Sequence, residues 1–111
     1  MTTKTLLGIF VLLLLAVACA PKEAAPAAEA DVTVRIKDFA FIPEVVTVKE
    51  GQTIKWVNDD SAVHTVEANN KAFSSPELYQ NDAWVWKADK KGAYEYICGI
   101  HPSMKGKVVV E

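Results

Sequence analysis

Cys98-Gly99-Ile100-His101-Pro102-Ser103-Met104 sets a thiol, an imidazole and a thioether three residues apart at each step. The stretch is a loop between two runs that alternate like β-strands. Soft sulfur donors combined with imidazole suit copper, and two His with one Cys and a weak axial Met is the trigonal set of electron-transfer copper sites. The loop holds one His. The 111-residue chain has two, so a complete set needs His64 from elsewhere in the sequence. Met1 is the initiator, which leaves Met104 as the one axial candidate. Taken singly, each residue has an ordinary explanation: a buried thiol, a core histidine, a core-filling methionine. Those explanations would have to coincide for all four residues to fall where one metal site requires them.

Outward from the loop the pattern is one of short strands. Tyr94, Tyr96 and Cys98 share a face upstream, and Gly106, Val108 and Val110 share one downstream. The same period of two puts Trp84, Trp86 and Ala88 together, then Ile54, Trp56 and Asn58, then Val46 and Val48, then Val32, Val34 and Ile36. Glu50-Gly51 and Lys90-Lys91-Gly92 are turn signals, Pro43 ends a pairing segment, and Asn58-Asp59-Asp60-Ser61 reads as a loop. A short strand over residues 63–67 would set His64 and Val66 on one side, and residues 68–82 are irregular. About seven short strands without a helical period predict an all-β sandwich over residues 31–111. Alternation already accounts for the pairs Trp84/Trp86 and Tyr94/Tyr96 as core. A domain of about 80 residues has a small core, which a bound metal would help to stabilise.

The N-terminal third is different in kind. Lys4 precedes an apolar, uncharged run from Leu6 to Ala20, shorter than the ~20 residues that span a bilayer, so residues 1–19 read as an export signal. The run ends Leu15-Ala16-Val17-Ala18-Cys19. Small residues before a Cys resemble the lipobox of bacterial lipoproteins, although Ala16 stands where Leu is favoured. Two fates fit Cys19: lipidation as the first mature residue, or ordinary cleavage nearby. The first is preferred, because a stray thiol is a liability in an exported protein. Residues 20–30 are rich in Ala and Pro with no bulky apolar residue; Pro26 interrupts any short helix, so they read as a flexible tether. A Cys19–Cys98 disulfide would join this leader to the far end of the domain. Cys98 is therefore a lone thiol in an oxidising compartment, where idle thiols are disfavoured. A net charge of −2 without a Lys/Arg stripe speaks against nucleic-acid binding.

Across residues 32–111 the chain resembles the cupredoxins, the type 1 blue-copper proteins, and most closely their amicyanin branch, with plastocyanin-like members as further kin. The resemblance rests on Phe41-x-Pro43, Gly51-x-x-Ile54-x-Trp56-x-Asn58, His64-Thr65-Val66, Phe73-x-Ser75, Gly92-x-Tyr94-x-Tyr96-x-Cys98, His101-Pro102-x-Met104 and Gly106-x-Val108. It implies a Greek-key β-sandwich of seven to eight strands. It implies one copper cycling between Cu(I) and Cu(II), with His64, Cys98 and His101 equatorial and Met104 axial. Next to the ligands, the Thr65 amide would donate to the Cys98 sulfur and Asn58 would tie down the His64 loop. Thr65 stands where many members carry Asn.

The resemblance further implies a one-electron carrier with no catalytic turnover. Donor and acceptor redox proteins would dock at His101, ringed by Pro102, Phe41 and Pro43. A second route through an aromatic beside the Cys is closed by Ile97. The expected setting is the periplasm or outer envelope face, as a lipid-anchored monomer. Three alternatives are weaker. A copper-delivery lipoprotein would favour Met-rich or extra-His tracts, a multicopper enzyme fragment needs further histidines, and a metal-free adhesion module leaves Cys98 idle. The same His and Cys donors can also take zinc.

Overall fold

The computed structural model describes residues 29–111; the signal segment, Cys19 and most of the tether lie outside them. Eight strands follow one another: β1 (Val32–Lys37), β2 (Ala40–Ile42), β3 (Val45–Val48), β4 (Thr53–Asn58), β5 (Glu67–Ala68), β6 (Ala83–Lys87), β7 (Gly92–Ile97) and β8 (Lys105–Val110). They form two four-stranded sheets, in the order β2-β1-β4-β6 and β3-β8-β7-β5. Pairs β1/β4 and β3/β8 are parallel and the other pairs antiparallel. The result is the expected all-β sandwich of two sheets.

Alternation decides which face of each strand is buried. Val34 and Ile36 of β1, Ile54, Trp56 and Asn58 of β4, Tyr94 and Tyr96 of β7, and Gly106, Val108 and Val110 of β8 all turn inward. Between the sheets lies an aromatic cluster. Trp56 is fully buried, with Phe73, Trp84 and Tyr96 at ring-centroid distances of 5.6–5.7 Å. Its indole Nε1–H donates to the Tyr96 hydroxyl at 3.2 Å, so this buried donor is satisfied across the two sheets. That matters because a buried donor left unpaired costs about 1–3 kcal/mol. Opposite Tyr96 stands Gly106, where a Cβ would overlap the Tyr96 ring. The glycine makes room for a side chain that has nowhere else to go.

Two expectations need correction. The segment 63–67 is not a strand. His64 makes one isolated bridge to Leu78, and pairing begins only at Glu67. The physical reason is that its amides go to side chains, Thr65 N–H to Cys98 Sγ and Val66 N–H to Ser75 Oγ, so no continuous ladder forms. Second, Phe41 lies at the same pole of the sandwich as Met104 but offers no exposed apolar surface to a partner. It is 3 % exposed and packs edge-on to Tyr96, with centroids 4.7 Å apart. The exposed aromatic residue at this pole is Phe39, two residues earlier.

Phe39 owes its place to the β1–β2 hairpin. Lys37 pairs with Ala40, leaving Asp38 and Phe39 as a two-residue turn, and both have left-handed backbones with φ of 53° and 56°. That is the geometry a tight hairpin demands, although it disfavours a bulky residue by about 1–2 kcal/mol. The offset comes from Asp60. Its carboxylate accepts the Asp38 amide at 2.8 Å and the Phe39 amide at 3.0 Å. Hydrogen bonds to a charged group are each worth about 1.5–3 kcal/mol, enough to hold the turn.

Candidate metal centre

The ends of β1, β4 and β7 meet at one pole of the sandwich, and the predicted residues converge there. His64 is positioned by reciprocal backbone hydrogen bonds with Leu78, at 3.1 and 2.8 Å. Asn58, fully buried at the end of β4, donates from Nδ2 to the carbonyls of Ala62 and Leu78, both at 2.8 Å, and accepts the Asp60 amide at 2.9 Å. It thereby fixes both sides of the His64 segment. Cys98 follows β7 directly and is fully buried. The loop that carries His101 is closed by two backbone bonds, Met104 N–H to His101 O at 2.9 Å and Cys98 N–H to Met104 O at 3.1 Å.

Three donor atoms face one another across this pole. Cys98 Sγ lies 3.7 Å from His64 Nδ1 and 3.7 Å from His101 Nδ1, and the two nitrogens are 3.2 Å apart. A point equidistant from all three lies about 2.1 Å from each, which matches metal–nitrogen bonds of about 2.0–2.1 Å and falls about 0.2 Å short of a metal–thiolate bond. The donor set of two imidazoles and a thiolate therefore fits a trigonal metal ion both in chemistry and in size. Met104 is buried. With Phe39 and Phe41 it lines a shallow cavity at the same pole.

The surroundings prepare each donor. His64 Nε2 is 2.9 Å from Asp60 Oδ2. A carboxylate only accepts, so Nε2 carries the proton and Nδ1 presents its lone pair toward the cluster. Partial burial pushes the Asp60 carboxyl up, but the Phe39 and Asp38 amides and His64 outweigh it and hold it below the usual carboxylate range. The Thr65 amide donates to Cys98 Sγ at 3.3 Å. This bond ties the sulfur to the His64 segment. Phe39 stands edge-on to both imidazoles, 5.2 Å from His64 and 5.0 Å from His101 by ring centroids.

Asp60 and Phe39 were not singled out from the sequence. Asp60 sits four residues before His64, but Asp59 beside it is an equally plausible partner on paper. In the fold Asp59 pairs with Arg35 at 3.0 Å instead. Phe39 lies two residues from Phe41, and the hairpin turn alone decides which of the two is buried.

Comparison with known proteins points the same way. The profile of the cupredoxin-like domain matches residues 8–110. Amicyanin-alpha of Methylorubrum extorquens is 36 % identical over 92 residues, covering 78 % of this chain and 76 % of that protein. A Cu(I) form of an amicyanin variant superposes with a TM-score of 0.71 at 31 % identity, covering 76 % of this chain and 85 % of that one. The copper-containing nitrite reductase of Thermus scotoductus superposes at 0.68 with 30 % identity, over 72 % of this chain but 22 % of its own.

Asp60→Ala should release both the His64 tautomer and the β1–β2 turn. Metal affinity, read by competition with a chelator, is expected to fall about 10–100-fold, the usual cost of losing a carboxylate behind a ligating His. Hydrogen exchange at the Phe39 amide should quicken. An unchanged affinity would show that packing alone orients His64.

Proposed function

The chain belongs to the cupredoxin-like family, and on that premise we propose that it is an exported one-electron carrier built on a single type 1 copper. The observation that carries this reading is the triangle of His64 Nδ1, Cys98 Sγ and His101 Nδ1, with 3.2–3.7 Å sides. A bound copper supplies a one-electron couple between Cu(I) and Cu(II). The protein's part is to keep the donors still. Asp60 holds His64 in one tautomer, the Thr65 amide holds the Cys98 sulfur in place, and the closed loop from Cys98 to Met104 fixes His101. Met104, buried at the same pole, would hold the copper as a further, weaker thioether ligand. A donor set that moves little between oxidation states exchanges electrons with little reorganisation.

Carrier is favoured over enzyme because both histidines of the chain are spent on the triangle, leaving none for a second copper. Carrier is favoured over copper delivery because His64 and Cys98 are fully buried, which opposes hand-over of the ion. His101 is the partly exposed member of the triangle, and Phe39 (54 % exposed) and Ile100 (45 %) are apolar side chains at the surface beside it. Electron donor and acceptor proteins are proposed to dock on this patch, one at a time, on a monomeric carrier. Ile97, in the place an aromatic relay would need, leaves His101 as the single port.

The N-terminal sequence supports a place outside the cytoplasm. Residues 1–19 are proposed as the signal, Cys19 as the lipid-modified residue and residues 20–30 as the tether, which holds the carrier at the membrane surface while leaving it free to turn between partners. Changing Cys19 to Ala should move the protein from the membrane to the soluble envelope fraction, and equal membrane retention would discard the anchor.

Two measurements bear on the carrier itself. Copper-loaded, oxidised protein should show an intense visible charge-transfer band and the narrow EPR hyperfine pattern of type 1 copper, both lost in Cys98→Ala; a colourless copper-loaded protein would end the proposal. For the port, Phe39→Asp should slow electron exchange with its redox partner at least tenfold while leaving the visible band in place. An unaltered rate would move the docking surface elsewhere.

A further inference from the structure

The Thr65 hydroxyl stands between two groups. It accepts the Gly99 amide at 2.8 Å and donates to a Glu67 carboxylate oxygen at 2.9 Å. The direction is fixed, because an amide can only donate and a carboxylate can only accept. Thr65 therefore grips the ligand loop twice. Its backbone N–H reaches the Cys98 sulfur, and its side chain holds the N–H of the peptide between Cys98 and Gly99. That second grip ends on a full negative charge.

A steric observation is independent of these hydrogen bonds. A Cβ at Gly99 would overlap the Glu67 carboxylate. The carboxylate fills the space that a side chain at position 99 would take, so Gly99 and Glu67 are matched. Glu67 is itself held in place: it opens β5 and lies opposite Ile97, the last residue of β7. The carboxylate thus lies against the first peptide of the ligand loop, fixed by backbone pairing on one side and by Thr65 on the other.

We propose that Glu67 is a positioning residue that fixes the start of the Cys98–Met104 loop through Thr65, and that its charge shifts the copper couple toward the oxidised ion. The proposal rests on the copper-carrier reading. Two physical effects underlie it. A carboxylate polarises the hydroxyl that donates to it, so that hydroxyl accepts more strongly from the Gly99 amide. A fixed negative charge near the site favours the ion carrying one more positive charge, and solvent screening at a partly exposed carboxylate keeps the effect modest.

Glu67→Gln is the discriminating variant, since the Gln carbonyl can still accept from Thr65 while the charge is gone. In the copper-loaded full chain the visible band should remain. The Cu(I)/Cu(II) ratio at a given potential should rise threefold to tenfold, a midpoint shift of about +30 to +60 mV at 59 mV per tenfold for one electron. In metal-free protein, Thr65→Val should quicken hydrogen exchange at the Gly99 amide at least tenfold, and Thr65→Ser should restore it. Gly99→Ala should destabilise the parent protein more than it destabilises Glu67→Ala, because the clash is then absent. An unshifted or lowered potential in Glu67→Gln overturns the electrostatic part. Unchanged Gly99 exchange in Thr65→Val, or additive effects of the Gly99 and Glu67 substitutions, overturns the positioning part. The metal-free measurements decide that part even if the wild-type protein fails to turn blue, a failure that would count against the copper reading alone.

Discussion

One carboxylate joins the β1–β2 turn to the His64 segment, two stretches more than twenty residues apart in the sequence. Asp60 accepts both amides of the β1–β2 turn and the Nε2 proton of His64. The turn needs it, because two consecutive left-handed residues, one of them Phe39, are unfavourable without an external acceptor. The metal centre needs it too, because an imidazole whose Nε2 proton is engaged can offer only Nδ1 to the cluster. The edge-on contacts of Phe39 with His64 and His101 follow from the same arrangement. Fold and site at this pole thus share one stabilising group.

The pole is asymmetric in a way that suits electron exchange. His64 and Cys98 are sealed in the sandwich and held from behind, the first by Asp60 and the second by the Thr65 amide. His101 sits in a short loop whose backbone closes on itself through Met104. It is the donor that reaches the surface, with Ile100 exposed beside it. Buried donors resist rearrangement, while the exposed one shortens the path to a partner. The aromatic cluster around Trp56 lies deeper, where its packing and the Trp56–Tyr96 hydrogen bond hold the two sheets together.

Most of this was legible wherever one face of a strand is buried and the other wet. Val34/Ile36, Ile54/Trp56/Asn58, Tyr94/Tyr96 and Gly106/Val108/Val110 alternate in the sequence and turn inward in the fold. The short members were not legible as strands. With three residues in β2 and two in β5, no period of two can be established. Around His64 the pattern misled, because Thr65 is buried as well and spends its amide on a sulfur rather than on a neighbouring strand. His64, Cys98 and His101 were legible because few residue types can bind a metal and the chain carries so few of them. Their supports were not. Nothing in Asn58-Asp59-Asp60-Ser61 says that Asp60 turns to His64 while Asp59 turns to Arg35. That choice is made by the parallel pairing of β1 with β4, which no local pattern encodes.

The protein sets the donor triangle, and a metal ion placed there conforms to it. X-ray absorption at the copper edge, in the oxidised and the reduced protein, tests this most directly. Two nitrogen donors and one short sulfur donor are expected in both states, with the same donor count and only slight changes in bond length. Loss of a nitrogen donor on reduction, or a shell dominated by oxygen, would contradict it.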